Sequence, residues 1–257
     1  MNATKRSEFN TLVWEDNFDG PALDYTKWEC EVNAFGGGND ELQLYTDYPK
    51  NVRVENGCLV LEAHREKAAI SGTVREVSSG RVRSKHRGDW KYGRIEICAK
   101  IPFGRGIWPA IWMLSTDEVY GTWAASGEID IMEAFGREPG QILGTLHYGD
   151  RWPKNASNGP KHYTLSDGKH FCDDFHVFAL EWSATGMKWF VDGECFRESP
   201  ASEWFSSAAP SPAPFDQRFH LIFNIAVGGA KNPEVDPPDH GTPFPARMEI
   251  DWVRVYQ

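Results

Sequence analysis

Apolar and polar residues alternate in short runs along most of the chain, with turn-forming residues between the runs. A period of two marks strands with one buried face, whereas an amphipathic helix would repeat at three and four. Residues 51–64 read as a hairpin: NVRVE, a turn at Asn56-Gly57, then CLVLEAH. The Asn-Gly pair supplies the left-handed conformations that a two-residue turn needs. Residues 177–197 read as a second hairpin, VFALEWS and MKWFVDG around Ala184-Thr185-Gly186. Further strands are predicted at 12–18, 80–86, 91–101, 107–114, 127–135, 142–148, 219–227 and 247–256, with short helical turns near 24–28 and 201–207. A dozen or so short strands predict an all-β fold, two antiparallel sheets packed as a sandwich or jelly roll. Three long loops stand out: Gly-rich 34–41, polar 149–170 carrying Trp152, and Pro- and Gly-rich 228–246. Long loops in compact domains often form cleft walls. Repeats, low-complexity tails and linkers are not seen, so residues 1–257 are expected to form a single domain.

One strand departs from the pattern. Glu128-Ile-Asp-Ile-Met-Glu133 places three carboxylates in an apolar stretch between Gly127 and Gly136. Alternation puts Glu128 and Asp130 on one face and Glu133 on the other. A β-bulge at Ile131-Met132 would restore Glu133 to the shared face, and bulges frequently adjoin active sites. Aligned carboxylates repel, so the stretch reads either as a solvated acidic face or as a catalytic pair with a third acid separating their proton affinities. Trp108, Trp112 and Trp123 lie just upstream, placed either to line a sugar cleft or to fill the core. Downstream, GTLHYG (144–149) reads as the paired strand, with His147 expected near Glu133 or as a structural residue at the sheet rim.

Composition narrows the partners. A formal net charge of -10 without a Lys/Arg cluster argues against nucleic acid and anionic membranes, and leaves a neutral polysaccharide compatible. Eleven Trp in 257 residues is a high count; most are expected to fill the core, and a sugar-binding cleft is a common reason for such an excess. Five widely spaced Cys form neither a metal motif nor a disulfide framework, and Cys58 and Cys98 read as buried thiols. No stretch approaches 18 apolar residues, so no transmembrane helix is expected. The start, MNATKRSEFN, lacks a signal-peptide core; the chain is read as cytoplasmic, or as secreted or periplasmic with its leader removed, and as a monomer.

GIWPAIWML (106–114), EIDIME (128–133) and GTLHYG (144–149) together resemble glycoside hydrolase family 16, most closely its laminarinase branch of endo-β-1,3-glucanases. LVWEDNFDG (12–20), NDELQLYTD (39–47), SGRVRSK (79–85), YGRIEICAKIP (92–102), FNIAVGG (223–229) and MEIDWVRVYQ (248–257) extend the likeness over nearly the whole chain. The resemblance implies a β-jelly roll with a concave glycan-binding face. It implies Glu128 as nucleophile, Glu133 as general acid/base and Asp130 as the residue that holds and tunes Glu128. Arg83, Trp108, Trp112 and Trp123 would contact sugar, with His147 and Asn39 also in the glycan-binding set. This chain has Asn39-Asp40-Glu41 where the family often has Asn-Asn-Glu, and its late loop, Gly229-Ala-Lys-Asn-Pro-Glu, lacks a Trp that many laminarinases carry. No cofactor is implied for catalysis; a structural calcium would sit at Glu15, Gly57 and Asp251. The alternatives are a mixed-linkage β-1,3-1,4-glucanase, an agarose-type galactan hydrolase, and a non-catalytic β-glucan-binding protein.

Overall fold

In the computed structural model, which describes residues 8–257, the alternating segments become twenty strands. The first seven residues of the expected domain, including most of the segment read for a signal peptide, lie outside the described residues. In chain order the first ten strands are β1 (Leu12–Asp16), β2 (Glu29–Cys30), β3 (Gln43–Tyr45), β4 (Val52–Glu55), β5 (Cys58–Ala63), β6 (Ala68–Ile70), β7 (Thr73–Arg75), β8 (Val77–Ser79), β9 (Arg81–Arg83) and β10 (Asp89–Trp90). Then follow β11 (Gly93–Lys100), β12 (Ile107–Ser115), β13 (Glu128–Glu133), β14 (Gln141–Tyr148), β15 (Ala156–Thr164), β16 (His176–Trp182), β17 (Gly186–Val191), β18 (Glu194–Pro200), β19 (Phe219–Val227) and β20 (Ala246–Tyr256). The first large sheet has the order β18-β17-β16-β11-β20-β5-β4, with β1 also on β20. The second has the order β15-β14-β13-β12-β19-β9-β2, with β10 on β19. Both are antiparallel throughout.

The inward residues of the two sheets make one core. Ile95, Ile97, Leu59, Leu61, Val253 and Val255 from the first sheet meet Ile111, Met113, Ile129, Phe223 and Ile225 from the second, all fully buried. Each such side chain contributes roughly 1.5–3 kcal/mol by leaving water. Trp28, Trp182 and Trp189 are fully buried in the same cluster, so part of the tryptophan excess is structural. Cys98 is buried as expected, whereas Cys58 is only half-buried; all five thiols are free.

Two expectations need correction. The polar segment 149–170 is not all loop: its middle forms β15, an edge strand whose residues are mostly exposed. An edge strand need bury little, and its Pro160 falls where the register with β14 shifts between Gly144 and Leu146, the irregular edge position that tolerates proline. Strands β2, β3, β6, β7, β8 and β10 also escaped prediction, since two or three residues cannot display a period. The expected helical turn at 201–207 is a short 3-10 turn over Ala201–Glu203.

The bulge in β13 is where the acids required it. Ile111 pairs with Met132 but Trp112 pairs with Asp130, so Ile131 is the extra residue. On the other side the register jumps from Asp130↔Thr145 to Glu133↔Leu143. Ile129, Ile131 and Met132 all enter the core, leaving Glu128, Asp130 and Glu133 on the outer face. Trp189 of β17 supports the bulge from beneath: its indole N–H donates to the Asp130 carbonyl at 2.9 Å. Gly144 on β14 makes room for that indole, because a Cβ there would stand 2.9 Å from Trp189 Cδ1. Gly144→Ala is therefore expected to cost ~1–3 kcal/mol by overpacking. The check is thermal melting, where the midpoint should fall by about 2–4 °C per kcal/mol lost.

Candidate active site

Three cross-strand rows define the outer face of the second sheet. His147, Glu128, Leu114 and His220 form one; Thr145, Asp130, Trp112, Ile222 and Arg83 the next; Leu143, Glu133, Ala110, Asn224 and Arg81 the third. Residues directly opposite one another in a sheet share a face, so three acids from β13, Trp112 from β12 and two arginines from β9 gather on one surface, with His147 from β14 and His220 from β19. Pro109 lies on central β12, but its carbonyl accepts from Ala134 N–H just past the end of β13. Its missing donor thus falls where that ladder stops.

Each glutamate is held by one tryptophan. Trp123 Nε1 donates to Glu128 Oε2 at 2.7 Å, and Trp108 Nε1 donates to Glu133 Oε1 at 3.0 Å. Their partners on β12, Leu114 and Ala110, are four residues apart, about 13 Å of strand that two inward-leaning side chains must close. Asp130, only 2% exposed, sits between them. The expectation for His147 is corrected: the register sets it opposite Glu128, and it faces the other two acids instead of Glu133. Its Nε2 lies 3.4 Å from Asp130 Oδ2 and 3.9 Å from Glu128 Oε1. The Trp123 ring packs against its imidazole at 5.8 Å.

Electrostatics then divide the glutamates. Burial first, and the Asp130 charge second, push Glu128 up to about 8, opposed by the His147 cation, the Trp123 N–H and Arg81. Burial and Asp130 raise Glu133 well above the carboxylate range; there Glu128 adds to the rise, and His147 and the Trp108 N–H oppose it. Burial alone would lower His147, but Asp130, Glu128 and Glu133 together raise it to about 10. Glu128 thus has an extra nearby cation and Glu133 an extra nearby anion. Both carboxyls are raised, and Glu133 holds its proton the more tightly of the two.

The residues match the model of the Glycosyl hydrolases family 16 over 38–254, most of the chain. The chain belongs to glycoside hydrolase family 16. Over 96% of its length this family 16 hydrolase is 43% identical to glucan endo-1,3-beta-glucosidase A1 of Niallia circulans, and spans 38% of that longer protein. It is 41% identical to a beta-glucanase of Rhodothermus marinus over 96% of this chain and 85% of the relative. The laminarinase catalytic domain of Thermotoga maritima superposes with a TM-score of 0.85 at 38% identity, covering 96% and 98% of the two chains. The expected jelly-roll class is thereby established.

The hydrolase places its remaining candidates unevenly. Trp112 Nε1 donates to Asn224 Oδ1 at 2.7 Å, and Asn224 donates onward to the Tyr45 hydroxyl at 3.0 Å. Arg81 lies over the Trp112 ring at 4.9 Å and pairs with Glu31. Arg83, expected at the sugar, is on the right face but three strands from Asp130, where Glu29 and Glu31 hold its guanidinium. Arg81 is the arginine that reaches Trp112, and both arginines line one cavity with Trp123. Neither Arg81 nor Asn224 was legible as a site residue, because only pairing with β19 brings them to Trp112. Asn39 joins the two long loops: its carbonyl accepts from Lys231 N–H at 3.0 Å, and its Cβ would stand 3.8 Å from a Cβ at Gly229, beside Trp108.

The three candidate calcium residues lie along one side of β20. Gly57 and Asp251 adjoin, since Leu59 pairs with Ile250. Glu15, however, pairs with Arg254, three positions from Asp251, or about 10 Å of strand. Its carbonyl already accepts from the Lys27 ammonium at 2.8 Å.

Proposed function

We propose that this chain is a retaining endo-β-1,3-glucanase acting on laminarin-type glucans. The observation that carries the reading is the opposed setting of two tryptophan-anchored glutamates on one sheet face, around a buried aspartate. Glu128, as carboxylate, attacks the anomeric carbon while Glu133 gives its proton to the departing glycosidic oxygen. The C–O bond breaks, and a glycosyl ester to Glu128 forms. Glu133, now ionised, takes a proton from water; that water attacks the same carbon and frees Glu128. Two inversions give net retention. The His147 cation steadies Asp130 and Glu128 during the cycle, and Trp112 and the exposed Trp123 offer flat faces to the sugars.

Cleavage of mixed β-1,3-1,4-glucan is the second reading. The late loop favours it, because it carries Lys231, paired with Asp40 at 3.1 Å, and no tryptophan to shape the distal subsites. An intact pair of glutamates argues against a binding-only protein. A polymeric substrate cannot cross a membrane, so the same reading has the enzyme working outside the cytoplasm.

Reducing-end release from laminarin, lichenan and agarose separates these readings. Laminarin is expected to be cleaved fastest, and cleavage of agarose alone would overturn the assignment. Proton NMR of early product should show the β-anomer first; first release of the α-anomer would refute double displacement.

A further inference from the structure

We infer that His147, Asp130 and Glu128 form a reversible binding site for Zn2+ that silences the enzyme. One donor atom from each lies within 4.8 Å of the others. His147 Nε2 is 3.4 Å from Asp130 Oδ2 and 3.9 Å from Glu128 Oε1. Zinc with N and O ligands at about 2.0–2.2 Å, tetrahedrally arranged, needs donors about 3.3–3.6 Å apart; the His147–Asp130 distance is already there, the His147–Glu128 distance is close to it, and side-chain rotation within the 4.8 Å cluster completes three corners. The fourth corner is left for water.

The donor atoms are available. Asp130 is 2% exposed, and its buried Oδ2 makes no well-aligned hydrogen bond; the His147 ring at 3.4 Å offsets its charge and leaves its lone pairs open to a metal. Trp123 engages Glu128 through Oε2, which leaves Oε1 on the His147 side. The pair of carboxylates supplies negative charge, and neutral imidazole suits zinc better than it suits calcium or magnesium, which take oxygen shells. A bound Zn2+ replaces the imidazole proton and occupies the lone pairs of Glu128, so the carboxylate cannot attack an anomeric carbon. That inhibitory consequence rests on the proposed role of Glu128; the binding itself does not.

Titration calorimetry with zinc chloride on the full chain, beside laminarin hydrolysis at rising Zn2+, tests the site. One-to-one saturable binding and inhibition reversed by EDTA are expected. His147→Gln and Asp130→Asn should each weaken binding at least tenfold, and the residual activity of each, whatever its level, should be correspondingly less zinc-sensitive. A second donor group, His170, Cys172 and Asp173, lies on an exposed loop. Cys172→Ser is therefore expected to leave inhibition unchanged. Equal zinc affinity in wild type and both active-site variants, or loss of inhibition in Cys172→Ser, would overturn the site. If laminarin proves not to be the substrate, calorimetry still decides the binding.

Discussion

Glu128→Ala is expected to lower laminarin hydrolysis by about 10⁴–10⁶-fold, the scale on which removal of a covalent nucleophile is felt. The protein should fold normally. Trp123, which loses its acceptor, is 39% exposed, so water can take the indole N–H. Removing one of two aligned carboxylates also relieves repulsion with Asp130, so the melting temperature should equal or exceed that of the wild type. The decisive readout is chemical. Azide fits the space vacated by the carboxylate and attacks the anomeric carbon from that face, while Glu133 still protonates the leaving group. The product is then an α-glycosyl azide. A folded Glu128→Ala protein that keeps the wild-type rate, or that yields only the β-azide, would remove Glu128 from the nucleophile's role.

Glu133→Ala should behave differently. General acid catalysis is worth about 10²–10⁴-fold, and it matters most when the leaving group is a poor one. Laminarin should be cleaved at least about 10²-fold more slowly, while an aryl β-glucoside of low leaving-group pKa should lose little in its first step. Deglycosylation then becomes slow for want of a base, and azide, which needs no deprotonation, should restore turnover and give the β-azide. The contrast follows from the electrostatics: Glu133 has the Glu128 charge as an added neighbour, whereas Glu128 has Arg81. Equal losses on laminarin and the aryl glucoside would contradict the assignment of Glu133.

The opposite-anomer azide products make the two variants a single test of geometry. They ask whether the carboxylates flank one bond from opposite sides. The bulge between Asp130 and Glu133 is what allows it. In regular alternation Glu133 would turn into the core beside Ile129 and Ile131, where an unpaired carboxyl is costly.

Much of this was readable along the chain. The three acids could be assigned to one face because alternation is local: parity, the apolar identities of Ile131 and Met132, and the need to keep Glu133 out of the core together demand one inserted residue. The hairpin at 51–64 followed from Asn56-Gly57 and the alternation beside it, and the run of such strands limited the fold to packed antiparallel sheets. The Trp residues near the acids could be listed but not sorted; only contacts separate Trp108 and Trp123, which bond the glutamates, from Trp189, which supports Asp130 from the core.

What the tertiary structure alone decided is register and distance across strands far apart in sequence. His147 faces Asp130 and Glu128 because β14 pairs with β13 in one register; two residues of slip would have brought a different side chain there. Arg81 and Asn224 reach Trp112 through β19, more than 100 residues from β12. Arg83 is drawn aside by Glu29 and Glu31, and Glu15 stays about three positions from Asp251. The physical reason is the same in each case. A strand's own sequence fixes which side chains share its face, through the geometry of the pleat. Which strand lies beside it, and in what register, is settled only when the whole core packs.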